Sequence, residues 1–402
     1  MQLKTIKQFK QWKDKHVLLR VDFNVAIHKK KIVDESRIRA VLPTIEYLQQ
    51  KGACIIIMTH LGRPEGKIIK NLSVDVVLKH LETLMKQKII KLETGNWQLS
   101  DKKKLLLLQK IEKMKSGDVA MMENVRFIKG EEENNKILAE DLSTLADIFV
   151  ADEFGVAHRD GASINGVAQY LPSYAGLLME KEITTLSKLL STPTKPFVAI
   201  LGGIKMKTKI PLIQKLANHT HNIMIGGGIV NNYLHGKGYY VGSSLVEKDF
   251  VTACIRACDT KHIIKPVDVV VGDMKGKKYR IVAIEKKPHR ICTRDEYILD
   301  IGPESIRLFS QYIKQARTLL WNGAMGYFEQ KPYDVGTLSI ARLVASRSKG
   351  SAFGCIGGGE TIEAMHKTGM SEDIDFISTG GGAMLAFLAG DVLPGVEVVR
   401  KK

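Results

Sequence analysis

Cysteine is scarce in this sequence. There are five in 402 residues, Cys54, Cys254, Cys258, Cys292 and Cys355, and none forms a CxxC pair. The odd count and the missing pairs speak against a disulfide framework and a zinc knuckle. Cys254 and Cys258 stand four apart on one face of an expected helix, but two soft ligands do not make a metal site. Aromatic residues are only 6% of the chain and do not interleave with the basic ones. Stacking platforms for single-stranded nucleic acid are therefore not visible. No run of ~18 apolar residues occurs, so no membrane-spanning helix is expected. The lysine-rich start, MQLKTIKQFKQWKDK, lacks the apolar stretch of a secretory signal, and a cytoplasmic location is expected. Two phosphate-binding signatures are also missing. There is no GxxxxGK[ST] loop, and no GxGxxG follows the first expected strand.

What is present reads as globular, with 44% apolar and 26% charged residues. A single core stops growing near ~250–300 residues, so two domains are expected. Short apolar runs recur at Val17–Val21, Cys54–Met58, Asp118–Met122, Ile148–Ala151, Phe197–Leu201, Asn222–Ile225, Val267–Val271, Thr318–Trp321, Phe353–Ile356 and Phe376–Ser378. Their length and composition fit strands buried on both faces. Between them lie amphipathic stretches such as Ile38–Gln50, and Leu72–Met85 with Ser73 as its expected cap. Strands alternating with helices predict α/β architecture with two doubly wound parallel sheets. Pro172 and Pro193/Pro196 bracket an expected long helix, Leu177–Leu190, which places a domain boundary near residues 171–195. The net charge of +17 is compatible with a nucleic acid, a polyanionic small substrate or no specific partner. Lysine clusters at Lys29–Lys31 and Lys102–Lys104 are expected in solvated connections.

Ligands of open α/β sheets bind beyond the carboxyl ends of the strands. In the first half those tips are cationic or hydrogen-bonding: Arg20-Val-Asp22-Phe-Asn24 with Arg37 after it, Thr59-His60-Leu-Gly-Arg63, Glu123-Asn-Val-Arg126, and Asp152-Glu-Phe-Gly-Val-Ala-His158-Arg159. Arginine pairs two-pronged with carboxylate and phosphate, so a small, highly anionic substrate is expected there. In the second half the tips are glycine-rich. They are Gly202-Gly-Ile-Lys205-Met-Lys-Thr-Lys209, Gly226-Gly-Gly228, Gly302-Pro, Asn322-Gly-Ala-Met-Gly326, Gly357-Gly-Gly-Glu360-Thr361 and Thr379-Gly-Gly-Gly382. Glycine lets a phosphate or a purine approach the backbone, and a helix starting there offers free N–H groups. A nucleotide is expected in this half, with Glu360 able to hold Mg²⁺. A glycine pair after one strand is ordinarily a turn; six such tips, with four arginine tips before them, point to ligands. His16, His28, His219 and His221 have no companion motif and are read as surface residues.

The strings RVDFNV, SRIRAVLPTI, THLGRP, ENVRF, the FG-x-AHR loop, FVAILGG-x-K-x-x-x-K, GGGI, DIGPES, WNG-x-x-G-x-FE, GGGET, STGGGA and LPGVEV resemble, in order, those of the phosphoglycerate kinase family, from about residue 5 to 398. The resemblance implies two Rossmann-like domains joined by a hinge helix. Their expected bounds are 1–172 with 388–402 returning to it, and 173–387. It implies reversible, Mg²⁺-dependent phosphoryl transfer between 1,3-bisphosphoglycerate and ADP, giving 3-phosphoglycerate and ATP, in glycolysis and gluconeogenesis. By the same resemblance Asp22, Asn24, Arg37, His60, Arg63, Arg126, His158 and Arg159 hold the phosphoglycerate. Lys205 and Lys209 hold nucleotide phosphates and, with Arg37, are the catalytic group. Gly226, Gly227, Gly228, Gly302, Asn322 and Glu329 line the nucleotide pocket, and Gly357, Gly358, Gly359, Glu360 and Thr361 face phosphates and metal. A monomer without a nucleic-acid partner is implied.

Phosphoryl transfer needs positioning and charge stabilisation more than covalent help, and an acyl phosphate needs no strong base. Substrates on separate domains imply hinge closure, which also excludes water. The sequence departs from the family pattern at several places. Glu360 replaces the usual Asp, Ala26 and Ala324 replace prolines, Glu153 and Val156 stand in the loop usually written D-A-F-G-T, and Arg159-Asp-Gly-Ala-Ser163 replaces RAHAS. These departures define an alternative, a phosphoglycerate kinase-like binding protein with weakened chemistry. A basic nucleic-acid-binding protein on the same fold is a third reading, marked by a steep salt dependence.

Overall fold

The computed structural model describes residues 1–94 and 101–401, with side chains described for all of these except 101–103. The chain divides into two compact units, Met1–Thr185 with Val392–Lys402, and Leu186–Asp391. The first is built on six parallel strands: β1 His16–Val21, β2 Cys54–Met58, β3 Ile90–Leu92, β4 Val119–Met122, β5 Ile148–Asp152 and β6 Ser173–Ala175. Their order is β3-β4-β2-β1-β5-β6. The runs CIIIM, VAMM and IFVAD are buried at every position, because helices cover both faces of a parallel sheet. The helix Ser36–Gln50 turns Ile38, Val41, Ile45 and Leu48 into the core beside Val17, Leu19, Ile55 and Ile57. Strand order reverses at β1, with β2 on one side and β5 on the other. The carboxyl ends Val21 and Asp152 therefore flank the crevice where such sheets take ligands. The C-terminal segment completes this unit: Lys4 N–H donates to Val399 O at 2.7 Å and Gly395 N–H to Ala157 O at 2.9 Å.

The second unit holds β7 Phe197–Leu201, β8 Asn222–Ile225, β9 Ile263–Ile264, β10 Asp268–Gly272, β11 Tyr279–Ala283, β12 Tyr297–Ile301, β13 Thr318–Asn322, β14 Phe353–Gly357 and β15 Phe376–Ser378. Six of them form a parallel sheet in the order β9-β8-β7-β13-β14-β15. The reversal here lies between β7 and β13, so Leu201 and Asn322 end at the crevice.

Three expectations need correction. The run at Val267–Val271 is not a parallel-sheet strand. It becomes β10, in a separate antiparallel sheet of order β11-β10-β12. The reason is the turn that follows it. The Asp273 carboxylate accepts from the N–H groups of Lys275, Lys277 and Lys278, and Gly276 takes φ +71°. A short hairpin can join only antiparallel strands. The helix expected over Leu72–Met85 spans Asp75–Met85, after a separate turn at Lys70–Leu72. Ser73 Oγ still accepts from Asp75 N–H at 3.3 Å, while the Glu123 carboxylate takes Val74 N–H at 2.9 Å. The Lys102–Lys104 cluster lies within the helix Asp101–Glu112 rather than in a connection.

Candidate active site

In the first unit the residues after β1, β2, β4 and β5 form a basic network. Arg20 is buried at the end of β1. Its Nε donates to Ser163 Oγ at 2.8 Å, and Nη2 lies 3.3 Å from His60 Nδ1. Arginine only donates, so His60 Nδ1 accepts and its Nε2 carries the proton. That Nε2 faces Asp22 Oδ1 at 3.9 Å. Burial, and then the guanidinium groups of Arg20, Arg126, Arg37 and Arg159, hold His60 well below its ordinary pKa. The histidine is thus a neutral donor inside a cationic site.

Asp22 orders the other side. Its Oδ2 accepts from Arg37 Nη1 at 2.7 Å, and its Oδ1 from Asn24 N–H at 3.2 Å. Asn24 in turn accepts Gly62 N–H at 2.9 Å. Arg126 donates to Gly62 O at 2.8 Å and reaches Glu132 at 3.2 Å. Arg20, Arg126 and Arg159, with Glu131, Glu132, Asp160 and Ile164, line a cavity of about 380 Å³. The structure thus joins Asp22, Asn24 and Arg37 by direct hydrogen bonds, sets His60 beside Asp22, and ties Arg126 to Asn24 through Gly62. Arg159 stands on the cavity wall. Arg63 is exposed, and His158 is half-buried, its Nδ1 enclosed without a protein partner. Ser163 and Glu131 were not among the expected residues. They hold Arg20 in place, with Ser163 Oγ donating to Glu131 Oε1 at 2.5 Å. Only the altered RDGAS string marked Ser163 in the sequence, and nothing marked Glu131.

Glu153, the departure in the β5 loop, is wholly buried, and neither carboxylate oxygen has a partner. Burial pushes its pKa up to about 8 despite the attraction of Arg20. Burial thus favours its uncharged form, which does not repel an anionic ligand.

The second unit centres on Lys209, in the helix Met206–Leu216 that follows β7. Its Nζ donates to Asn322 O at 3.1 Å and also to Asn322 Oδ1. Asn322 is fixed from behind, its Nδ2 donating to Gly357 O at 2.6 Å. Burial lowers the Lys209 pKa to about 8, opposed by the Glu360 carboxylate. A buried ammonium held only by neutral oxygens is a receptor for an anion. Around it the glycine tips close in. Gly202 N–H bonds Asn322 O at 3.0 Å, Gly203 N–H bonds Ala324 O at 2.9 Å, and Gly227 N–H bonds Met325 O at 2.8 Å. A side chain at Gly202 would stand 2.0 Å from Ala324 O. Gly323 N–H donates to Thr361 Oγ1 at 2.7 Å.

Beside these loops lies a cavity of about 420 Å³. Gly203, Gly227, Gly228, Ala324, Glu329 and Glu360 line it from the parallel-sheet side, and Val269, Met274, Tyr297 and Ile298 from the antiparallel sheet. Gly226 starts the helix Gly227–Gly236 at the edge of this wall. Lys205 is exposed at the start of its helix, whose Met206 N–H is taken by Glu247 at 2.9 Å. Gly357, Gly358 and Gly359 lead into the helix Gly359–Thr368, with Glu360 exposed in its first turn. Gly302 is not part of the lining. The helix after it is capped by Asp268, which takes Ser305 N–H at 2.7 Å and Glu304 N–H at 3.1 Å. The walls from β10 and β12 were the part missed from sequence, since the run at Val267–Val271 reads as a parallel-sheet strand and Gly302, the tip after β12, stands outside the lining.

One Mg²⁺ carboxylate ligand is available in Glu360. Among the described residues no group of three or more histidine, cysteine or acidic side chains could hold an ion. Mg²⁺ in kinases keeps waters and substrate phosphates beside one or two carboxylates, so a single glutamate fits that ion. No described helix is long and apolar enough to cross a membrane.

The phosphoglycerate kinase family model matches residues 6–391. A phosphoglycerate kinase of Pelotomaculum thermopropionicum is 42% identical over 398 residues, 97% of each chain. One of Borreliella afzelii is 39% identical over the full length of both. Among solved structures, phosphoglycerate kinase from Coxiella burnetii superposes with a TM-score of 0.83 at 34% identity, covering 99% of each chain. That from Pyrococcus horikoshii gives 0.84 at 30% identity, over 99% of this chain and 98% of its own.

Proposed function

Because the chain belongs to the phosphoglycerate kinase family, it is a kinase that moves a phosphoryl group between 1,3-bisphosphoglycerate and ADP, and we propose that its two units divide that work. The first unit takes the phosphoglycerate. Asp22, Asn24, Arg37, His60, Arg63, Arg126, His158 and Arg159 surround it, with Arg20 behind them. The second takes the nucleotide. Its base enters the apolar cavity, with Glu329 at the wall, and its phosphates run past Gly226 to Gly228 toward Lys205, Lys209, Asn322 and the loop Gly357–Thr361. Gly302 shapes the helix start behind this pocket.

The observation that carries the reading is Lys209, a buried cation facing neutral oxygens where three glycine loops meet. Charge spread over the transferring group is stabilised by Lys209, Lys205 and Arg37, which Asp22 holds in place. Glu360 is the residue that would hold Mg²⁺, which when bound neutralises phosphate charge. Each substrate occupies its own unit, so transfer requires the units to close and exclude water. The same reading makes the enzyme a cytoplasmic monomer whose partners are its small anionic substrates, with no nucleic acid needed. No observation favours the weakened-binder alternative.

The test is a coupled assay with 3-phosphoglycerate, MgATP and glyceraldehyde-3-phosphate dehydrogenase, following NADH oxidation. Turnover of ~1–100 s⁻¹ or above is expected, with Arg37→Ala folded and at least ~100-fold slower. A folded Arg37→Ala at the normal rate would remove that residue from the mechanism. Binding of both substrates without turnover would favour the weakened reading.

A further inference from the structure

We propose that Asn231 reads the edge of the nucleotide's base and makes this enzyme prefer adenine to guanine nucleotides, an inference that rests on assigning the apolar cavity to the base. Asn231 lies on the helix Gly227–Gly236, one turn after the glycine tip, and lines that cavity. It is 6% exposed, and its Oδ1 is buried with no hydrogen-bond partner. An enclosed carbonyl oxygen without a partner costs stability, so a ligand that brings a donor to Asn231 relieves that cost.

Its polar neighbours are already engaged. Asn232, the next residue, donates to Gly228 O at 2.8 Å and accepts Glu247 N–H at 3.0 Å. Asp300, also on the wall, accepts from Ile301 N–H at 2.9 Å and Gly336 N–H at 2.6 Å. Ser243 donates to Arg294 O at 2.8 Å. The walls around Asn231 are otherwise largely apolar, supplied by Val230, Val269, Leu299 and Ile301. A flat apolar slot binds any purine by its faces. Discrimination must then come from the edge. A carboxamide sets an acceptor beside a donor in one plane. The N7 edge of adenine answers it with its exocyclic amine beside the N7 acceptor, and both bonds form. The corresponding guanine edge presents two acceptors, so the Asn231 acceptor meets a carbonyl oxygen and stays unpaired.

The test compares ADP with GDP by calorimetric binding, and MgATP with MgGTP in the 3-phosphoglycerate assay, for the intact protein, Asn231→Leu and Asn231→Ala. The unaltered protein is expected to bind ADP at least about tenfold tighter than GDP. Asn231→Leu should erase most of that difference by raising KM for MgATP about tenfold, with MgGTP little affected and the loss in KM rather than kcat. Asn231→Ala serves if the leucine variant does not fold, with the same expected loss of preference. Equal affinity for ADP and GDP in the active, unaltered protein overturns the inference. So does a variant that loses both nucleotides equally, since that marks Asn231 as structural. A folded protein that turns over 3-phosphoglycerate with neither nucleotide would instead overturn the function on which the inference rests.

Discussion

Two buried side chains show how single residues trade stability for chemistry. Lys209 has an ordinary pKa of 10.5, and burial brings it to about 8. The folded chain therefore holds its proton less tightly than the unfolded one. Below about pH 8 the buried ammonium costs the fold on the order of 3 kcal/mol, and the cost disappears as pH rises through the unfolded value. Lys209→Met should cut kcat by at least ~100-fold while leaving Tm at pH 7 unchanged or higher. A Tm lowered by several degrees would show the ammonium to be a net stabiliser. Glu153 has the opposite sign. Its ordinary value is 4.5, and the fold raises it to about 8. Its contribution to stability is complete below about 4.5 and is lost as pH rises through 8. Glu153→Gln should remove that loss, flattening the fall in unfolding free energy from urea melts between about pH 5 and 8 by up to ~1.4 kcal/mol per pH unit. Parallel curves for the two proteins would mean that Glu153 is ionised in the fold. Asp152, pushed up to about 7 by burial, keeps a smaller dependence of the same sign in both proteins.

At the scale of elements, the glycine loops work by close approach, and Gly358 shows it. It caps the helix Gly359–Thr368 at φ +96°, and a Cβ there would lie 2.7 Å from Asn322 Nδ2. Gly358→Ala should therefore cost about 1–2 kcal/mol for the left-handed backbone and also displace the amide that holds Lys209. Nucleotide KM should rise about tenfold, with 3-phosphoglycerate KM little changed. Gly369→Ala is the control, since φ is +70° there but nothing lies near its Cβ. That variant should lose stability alone, and equal kinetics in the two variants would reject the Asn322 link. The same element explains what the sequence could show. A glycine run after a β-branched run is visible, and so were the central strands, buried on both faces. The antiparallel sheet was not, because Tyr279 and Ile281 of β11 each leave 57% of their surface to solvent and the pattern there is neither continuous nor alternating. Glu131 was invisible for another reason. Its role depends on Ser163, 32 residues away, and on Arg20.

For the whole molecule, the return of the C-terminus ties the phosphoglycerate site to the last residues of the chain. Leu393, Val396 and Val399 are buried in the first unit. Gly395 N–H bonds Ala157 O, next to His158 and Arg159. Nothing local in LPGVEV announces this docking, since a four-residue helix flanked by apolar side chains suits many surfaces; the expectation came from the family resemblance. Burying those three side chains is worth about 2 kcal/mol each, enough to position a loop though not to hold a whole domain. A chain ending at Asp391 should therefore fold with a less stable first unit and a looser Ala157–Arg159 loop. Calorimetry should show 3-phosphoglycerate binding weakened at least about tenfold, an effect of ~1.4 kcal/mol. ADP affinity should persist, because every residue around Lys209 and the apolar cavity belongs to Leu186–Asp391. Undiminished 3-phosphoglycerate binding would show that the arginine network holds its geometry without the returning segment. Loss of both ligands together would show that the two units do not keep their structures independently.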